Sequence, residues 1–490
     1  MKISELAEET ADALRNAGEA ALRITTPSIR LGVTGLARAG KTVFITSLVQ
    51  NLLAGGRLPF LDAAAQGRIL RAYLEPQPDD TVPRFDFEAH LQALKSEPPD
   101  WPESTRWLSQ LRLTIEFRPQ GLLDRLTGRN RLHVDIVDYP GEWLLDLPLL
   151  QLTYAEWSLR AVRHAQDMKR SLPEAARWLA FMKKIDPDES AAEPRVVEAA
   201  KLFKAYLHAA RDDERTLSTQ PPGRFLMPGD LEGAPALTFC PLLLAADGRA
   251  VRGSYREMME RRFESYKAQV VKPFFRDHFA RLDRQIVLVD ALAAVNGGRT
   301  ALDELKQAMT EILRAFRPGA NSWLSSLLYR RIDRILFAAT KADHLHHTSH
   351  DRLEAILSQL MAEAIERAEF AGAQTSAIAL AAIRATHEAT ATHDGEVLPC
   401  IVGVPAPGER LGRRVFNGKE EFAIFPGDLP ETLDAAARCD AESGGSRKAF
   451  DTRFIRFLPP RLNTARGAPA APPHIRLDKA MNFLFGDKLA

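Results

Sequence analysis

The segment that most constrains the fold of this chain is GLARAGKT, from Gly35 to Thr42. It matches the pattern G-x-x-x-x-G-K-[ST] and stands between an apolar run, which predicts a strand at Ile29–Thr34, and a helical pattern. In such a loop the backbone N–H groups turn inward around an anion, and the following helix directs its positive end at the same point. We therefore expect a nucleoside triphosphate to bind here. The residues expected to contact it are Gly35, Leu36, Ala37, Arg38, Ala39, Gly40, Lys41, Thr42 and Val43.

Three side chains of this loop have individual expected roles. Lys41 should bridge the β- and γ-phosphates and contribute to catalysis, and the Thr42 hydroxyl should ligate Mg²⁺. Arg38 has two interpretations. It either stabilises phosphate charge from within the loop or points to solvent.

A second motif, DYPG, places Asp138 at the end of a predicted strand and Gly141 three residues later. In a D-x-x-G motif the acid holds Mg²⁺ through water and the glycine N–H meets the γ-phosphate. Glu142 follows directly, at the position of a water-orienting residue, and the alternative is a surface residue. Because its charge would repel the developing charge on the γ-phosphate, we expect slow unaided hydrolysis. Asp135 lies inside the strand and faces the opposite side, so we interpret it as structural.

The magnesium site of such a protein needs one more hydroxyl, from a threonine shortly before the strand pair. Thr105 in DWPESTRWLSQLRL fits this position better than Thr81, which is far from the strand. Thr105 could equally cap a short helix. The expected metal ligands are therefore Thr42, Thr105 and Asp138.

A third motif, Thr340-Lys341-Ala342-Asp343, follows a buried strand. An [N/T]-K-x-D element at this point reads guanine, because the carboxylate accepts two hydrogen bonds from the base while the lysine stem lies along the ring. Adenine offers no such donor pair. The expected base contacts are Thr340, Lys341 and Asp343, and a charged turn after a strand is the alternative.

A further base contact should follow the next strand, which we predict at Ala377–Ile383. The dipeptide Ser376-Ala377 precedes that apolar run and therefore faces the wrong end of the sheet. We prefer Arg384-Ala385-Thr386, with the Ala385 N–H near guanine O6 and Thr386 beside it.

Four histidines in DHLHHTSH resemble a metal-binding tract. They are His344, His346, His347 and His350. The sequence shows no acid or cysteine clustered with them, which favours a solvated helix start.

Composition narrows the class of protein. The 65 basic and 64 acidic residues give a net charge of +1, so no overall field draws the chain to nucleic acid or anionic lipid. Cys240, Cys400 and Cys439 form neither a metal-ligand spacing nor a disulfide framework, which suits a reducing cytosol.

The first 18 residues lack a secretion-signal core and predict an amphipathic helix that packs on the protein or docks to a partner or membrane. With no run long enough to span a bilayer, we expect a soluble cytoplasmic protein.

Strand-like and helical runs alternate along the chain, which predicts an α/β fold. The predicted strands are Ile29–Thr34, Leu111–Arg118, Leu132–Val137, Gln285–Asp290, Ile335–Ala339 and Ala377–Ile383, the second and third forming an antiparallel hairpin. We expect an N-terminal helix at 1–28, the halves of the core at 29–149 and 283–388, a helical insertion at 150–282, a β-containing subdomain with a linker at 389–473, and a closing helix at 474–490.

In combination these motifs resemble the YcjX-like family of bacterial P-loop GTPases. The segments that carry the resemblance are VTGLARAGKTVFITSLV, DIVDYPGEWLLDLPLL, RQIVLVDALAAVNGG, FAATKADHL, LAAIRAT and HIRLDKAMNFLFGDKL. The resemblance covers nearly the whole chain. It implies a P-loop GTPase-like core with a mainly parallel sheet, a helical insertion and an extra C-terminal portion, together with a loose link to stress responses. It implies no established substrate or partner.

These observations predict a Mg²⁺-dependent protein that binds GTP and GDP, hydrolyses GTP, and changes its helical insertion with nucleotide state. An unknown protein partner would then bind through the insertion. Two alternatives stay open. One is a nucleotide-gated scaffold with negligible turnover, and the other is an ATPase or kinase, which would need a different account of Thr340–Asp343.

Overall fold

A computed structural model describes residues 27–36, 38–104, 107–121, 130–213, 220–244, 250–314, 332–393, 396–431, 433, 454–462 and 470–490. Predictions that fall wholly or partly outside these residues include the N-terminal helix up to residue 26, the contact from Ala37, the metal ligand Thr105, and the subdomain with its linker at 389–473, of which 434–453 and 463–469 are not described. Within the described part of the chain, no helix has the length and apolar character needed to cross a bilayer.

The centre of the molecule is a seven-stranded sheet in the order β2-β3-β4-β1-β5-β6-β7. Its strands are β1 (Ser28–Gly35), β2 (Ile69–Glu75), β3 (Ser109–Phe117), β4 (Arg131–Asp138), β5 (Arg284–Val289), β6 (Arg334–Ala339) and β7 (Gln374–Ala379). The strands from β4 to β7 in this order pair in parallel, whereas β2–β3 and β3–β4 pair antiparallel. The sheet is therefore mainly parallel, and the predicted hairpin of β3 and β4 is confirmed.

Side chains alternate between two apolar layers along the central strands. Ile136 and Leu336 face a layer that includes the first helix and the closing helix. Their neighbours Val137 and Phe337 face a second layer, which the helices of the 150–282 region share. Burial on both faces explains why these strands read as continuous apolar runs.

Two details of the sheet differ from the sequence prediction. Strand β2 was not predicted. It lies at the sheet edge with partly exposed side chains, so its sequence shows only a weak hydrophobic pattern. Strand β7 ends at Ala379, four residues before the predicted end at Ile383. The apolar run continues beyond the strand because Ala381 exchanges backbone hydrogen bonds with Ile475, which covers that segment.

Helices cover both faces of the sheet. They are α1 (Lys41–Leu53), α2 (Asp62–Ala65), α3 (Phe87–Lys95), α4 (Tyr154–Met168), α5 (Pro173–Met182), α6 (Glu193–Asp212), α7 (Gly223–Leu226), α8 (Tyr255–Tyr266), α9 (Lys272–Asp277), α10 (Ala291–Asn296), α11 (Gly298–Arg314), α12 (His350–Leu360), α13 (Ala362–Phe370) and α14 (Leu477–Phe485). The 3₁₀ segments are Gly141–Gln151, Gly229–Leu231, Pro235–Leu237, Phe279–Arg281, Ala342–His344, His347–Ser349 and Gly486–Lys488, and Lys267–Val271 is a π-helical turn.

The region between β4 and β5 is helical, as its composition predicts, and packs around aromatic rings. The Trp157 indole stacks on Phe263 at 5.1 Å, and Trp178 stacks on Tyr206 at 5.8 Å between ring centroids. Aromatic pairs of this kind add to the apolar area that the helices bury. The domain boundaries at residues 150 and 282 stay a prediction.

The C-terminal part contains two small antiparallel sheets. One has the order β12-β9-β8, from β8 (His387–His393), β9 (Glu396–Gly403) and β12 (Phe422–Ile424), and the other pairs β10 (Arg410–Leu411) with β11 (Arg414–Val415). The closing helix α14 then packs on the large sheet, and Asp487 in the 3₁₀ segment after it contacts Arg284 and Arg334. The two small sheets confirm the predicted β-containing C-terminal portion, and the bounds predicted for it and for the closing helix stay predictions.

Candidate nucleotide-binding site

The three sequence motifs lie at the carboxyl ends of β1, β4 and β6. Strand β1 pairs with β4 on one side, where Val33 is opposite Asp138, and with β5 on the other, where Gly35 is opposite Leu288. The chain order therefore reverses at β1, and crevices at such points hold ligands in open α/β sheets. The loop that follows β1 lies at this reversal point.

The loop after β1 turns into helix α1 through two residues with positive φ. Arg38 is exposed with φ 64°, and Gly40, the N-cap residue of helix α1, has φ 84°. No side chain caps this helix, and its first turn carries no acidic residue, so its positive end is not neutralised locally. The Lys41 ammonium is buried and donates to the Gly35 carbonyl oxygen at 2.7 Å.

The D-x-x-G segment lies directly on this loop. Asp138 is buried at the last residue of β4. A Cβ on Gly141 would stand 1.8 Å from the Gly35 carbonyl oxygen, so no residue larger than glycine fits this approach. Buried hydrogen bonds between hydroxyl and amide side chains hold β1 against the D-x-x-G turn. The Tyr139 hydroxyl lies 2.6 Å from Thr34 Oγ1, which also accepts from Gln285 Nε2 at 2.7 Å.

Glu142 is buried, which excludes the surface alternative raised by its sequence. It is the second residue of a 3₁₀ segment, Gly141–Gln151, that leads into the helical region. Its backbone carbonyl is covered by Gly223, where a Cβ would stand 1.8 Å from the Glu142 oxygen.

The Thr340–Asp343 segment and the loop after β7 contact each other. Asp343 is buried, and its Oδ2 accepts a hydrogen bond from the Ala385 N–H at 2.9 Å. The Thr386 hydroxyl donates to the Asp343 carbonyl oxygen. The structure thus brings together the motif and the preferred tripeptide, whereas Ser376 and Ala377 lie inside β7.

Sequence reasoning missed Asp290, which holds the lysine of this segment. Lys341 has φ 61°, and its ammonium contacts Asp290 Oδ2. Asp290 also caps helix α10 by accepting from the Ala293 N–H at 3.1 Å. An acid directly after a buried strand is the signal that could have identified this residue.

Asp146 was also missed, and it joins the 3₁₀ segment to the helical region. Its carboxylate accepts from the Gly223 N–H at 2.7 Å, the Arg224 N–H at 3.3 Å and the Tyr266 hydroxyl at 2.6 Å. Burial raises the pKa of Asp146 to about 6, although these hydrogen bonds and the Arg224 charge oppose that rise. The Arg224 guanidinium carbon also lies 3.2 Å from the centre of the Trp143 ring.

Comparison with known proteins agrees with this geometry. The family described as "YcjX-like family, DUF463" matches residues 29–489. The chain belongs to the YcjX-like family. Among curated relatives, "Ras-like GTPase YcjX" of Escherichia coli (strain K12) is 37% identical over 475 residues, which cover 94% of this chain and 96% of the relative. The protein of the same name from Shewanella oneidensis is 35% identical over 480 residues, 94% of each chain.

Membership in the YcjX-like family agrees with the architecture. A mixed α/β fold with a mostly parallel central sheet is consistent with the GTPase-like core that the sequence predicted. Because both named relatives are matched over nearly their whole length, the likeness includes the helical and C-terminal regions.

Proposed function

We propose that this protein is a Mg²⁺-dependent GTP-binding protein that hydrolyses GTP slowly and acts as a nucleotide-state switch. The observation that carries the proposal is that three segments lie together at the carboxyl ends of the parallel strands. They are the loop Gly35–Val43, the Asp138–Gly141 turn, and Thr340–Asp343 in contact with Ala385. The names of the curated relatives support the same ligand class.

The residues present fit a nucleoside triphosphate with its metal ion. The uncapped positive end of α1 and the Lys41 ammonium suit the phosphates. Thr42 and Asp138 would hold Mg²⁺, with Thr105 as a further ligand, and the ion would neutralise charge shared by the β- and γ-phosphates. The Gly141 N–H would meet the γ-phosphate.

The base would bind at the other end of the site. The Asp343 carboxylate would accept from the two guanine donors, and the Lys341 stem would lie along the ring while Asp290 holds its ammonium. Thr340 and Thr386 flank this position. The Ala385 N–H, which donates to Asp343 Oδ2 at 2.9 Å, would also donate to guanine O6.

Slow hydrolysis follows from the groups near the γ-phosphate position. Glu142 can accept a hydrogen bond from the attacking water, but its carboxylate repels the charge that develops on the phosphate. Arg38 is exposed at the loop and would offset this only by turning inward. An activating partner would therefore raise turnover.

The helical region is positioned to respond to the nucleotide. Gly141 contacts the phosphate loop, and five residues later Asp146 is held by Gly223, Arg224 and Tyr266. A movement of Gly141 on γ-phosphate binding would therefore be passed to the helical region, as in segments ordered by γ-phosphate contacts. A partner that reads the nucleotide state would bind there.

A cytoplasmic location and a part in stress responses complete the proposed function. A cytoplasmic location fits Cys240 and Cys400, which are free and buried. A part in stress responses rests on the family resemblance.

The test is nucleotide binding and phosphate release with nucleotide-free protein. The wild type should bind GTP in preference to ATP and release phosphate slowly. Lys41→Ala should weaken GTP binding roughly ten- to hundredfold, because a charge-assisted contact to the phosphates is lost. Lys183→Ala, an exposed lysine in the helical region, is the matched control and should bind as the wild type does.

The alternatives predict other outcomes of the same assay. Tight GTP binding without phosphate release favours the nucleotide-gated scaffold. A preference for ATP overturns the guanine assignment, and wild-type affinity in Lys41→Ala overturns the phosphate-loop assignment.

A further inference from the structure

A cluster of two imidazoles and one carboxylate lies beside the proposed base site. His346 and His347 stand at the 3₁₀ turn between Asp343 and helix α12, and Glu388 lies on strand β8. The His347 Nδ1 is 2.7 Å from Glu388 Oε2, and the His346 Nε2 is 4.0 Å from the same oxygen. All three ligand atoms lie within 4.8 Å of one another.

This cluster corrects an expectation from the sequence. The histidine tract lacked an acidic partner nearby in the chain, and a solvated helix start was therefore favoured. Folding supplies the partner, because Glu388 lies 41 residues away along the chain from His347. Across the described residues, no other group of three or more histidine, cysteine or acidic side chains has this spacing.

The neighbours of the cluster orient its ligand atoms. Arg384 Nη2 contacts Glu388 Oε1 at 3.2 Å, so the other carboxylate oxygen is the one turned toward the histidines. The His346 Nδ1 lies 3.0 Å from Thr348 Oγ1. In this structure the His346 Nδ1 accepts from the Thr348 N–H at 3.5 Å, and the ring directs Nε2 toward Glu388. With a metal ion on Nε2, the proton would move to Nδ1, which would then donate to Thr348 Oγ1. Metal-bound histidines in general are fixed by such a second hydrogen bond.

The donor set and its spacing suit a zinc-class ion. Two neutral imidazoles and one carboxylate leave a fourth position open, and such ligands lie about 2.0–2.2 Å from zinc. Tetrahedral ligands at that range are about 3.3 Å apart. The observed separations of 2.7 and 4.0 Å from Glu388 Oε2 lie on either side of that value. The His347 side chain is exposed, so the adjustment does not disturb the core.

We propose that His346, His347 and Glu388 form a binding site for a borderline divalent transition-metal ion of the zinc class. Nitrogen ligands distinguish this ion from Mg²⁺, which prefers oxygen. The site goes beyond the proposed function and does not require nucleotide binding. Its occupation would tie the turn that follows Asp343 to strand β8.

The experiment titrates untagged, metal-free and nucleotide-free protein with Zn²⁺ in competition with a chromophoric chelator. The wild type should take up one equivalent. His347→Ala and Glu388→Gln should each weaken binding by at least about tenfold, since even the loss of an outer-shell partner has that effect. His387→Ala removes an exposed neighbouring histidine outside the cluster and is the matched control.

A second arm uses the arginine next to the carboxylate. Arg384→Gln removes the positive charge that lies beside the Glu388 carboxylate. Zn²⁺ affinity should therefore increase, whereas it decreases in the ligand variants. Thermal melts of every variant check that the fold is retained. Wild-type affinity in His347→Ala, or equal losses in His347→Ala and His387→Ala, would show adventitious surface binding and overturn the site.

Discussion

At the scale of single residues, hydrogen bonds within the protein hold Asp343, the centre of the proposed base site, in place. Its carboxylate is buried and accepts from the Ala385 N–H, while Thr386 bonds its backbone carbonyl. Both contacts join the segment after β6 to the loop after β7. A side chain that is already fixed loses little entropy when it binds a ligand.

Asp343→Asn should exchange the preferred base. The new amide cannot accept from both guanine donors, and each donor left unpaired costs roughly 1–3 kcal/mol, or about ten- to hundredfold in affinity. Xanthosine triphosphate should gain affinity, because its 2-oxo group accepts from the amide. Competition among GTP, ATP and xanthosine triphosphate for both proteins measures the exchange.

The matched control for this substitution is Asp351→Asn. Asp351 is an exposed aspartate that pairs with Arg476, the residue before helix α14, outside the proposed base site. It should keep the GTP preference of the wild type. If Asp343→Asn also keeps that preference, the base assignment fails.

At the scale of one element, the 3₁₀ segment Gly141–Gln151 depends on a buried carboxylate. Asp146 receives three donors from the helical region, and burial raises its pKa from 3.8 to about 6. Between these pH values the folded protein binds a proton that the unfolded chain does not. The contribution of Asp146 to the free energy of unfolding therefore falls as pH rises through this window and is constant above it.

Asp146→Asn should remove this pH dependence while preserving most contacts. The amide oxygen can accept from the Gly223 N–H and the amide nitrogen can donate to the Tyr266 oxygen, so the longer bond from Arg224 is the principal loss. Between pH 5 and pH 8 the wild type should lose more than about 1 kcal/mol relative to this variant. Urea unfolding at the two pH values measures the difference.

The control for this prediction is an exposed aspartate. Asp188→Asn lies in the same helical region at the surface, and its stability should track that of the wild type at both pH values. A difference between wild type and Asp146→Asn that stays constant with pH would contradict the raised pKa.

At the scale of the whole molecule, hydrogen exchange should report nucleotide state far from the phosphates. We expect protection to differ between GDP and a non-hydrolysable GTP analogue in the Gly141–Gln151 segment, in α7 and in α8, because Asp146 joins them. Helix α14 lies in the other apolar layer and should serve as the unchanged reference.

Tyr266→Phe sharpens this prediction. It deletes the hydroxyl that bonds Asp146 and leaves the ring in place, so the exchange difference in α8 should shrink while the difference in Gly141–Gln151 remains. Identical profiles in the two nucleotide states of the wild type would indicate a static helical region.

The parts of the fold that the sequence predicted are those with a strong local pattern. Strands β1, β4, β5 and β6 are buried on both faces, and their apolar runs give their positions to within a few residues. Strand β2 has no such pattern because it lies at the edge. The end of β7 was misplaced because contact with Ile475 prolongs the apolar run beyond the strand.

The candidate site also has parts that the local sequence predicts and parts that it does not. Its three motifs were visible because each is a short run with fixed spacing. The residues that orient them come from distant parts of the chain: Asp146 meets Gly223 across 77 residues, and Lys341 meets Asp290 across 51. No local pattern encodes these contacts, so they required the folded structure.

Two glycines leave no side chain between neighbouring segments in the middle of the molecule. Gly141 stands against the Gly35 carbonyl, and Gly223 stands against the Glu142 carbonyl. A side chain between two segments can change rotamer and absorb a small displacement, whereas one peptide plane pressed on another cannot. The loop after β1, the D-x-x-G turn and helix α7 are therefore in rigid backbone contact. A displacement of the loop should be transmitted to α7 almost undiminished.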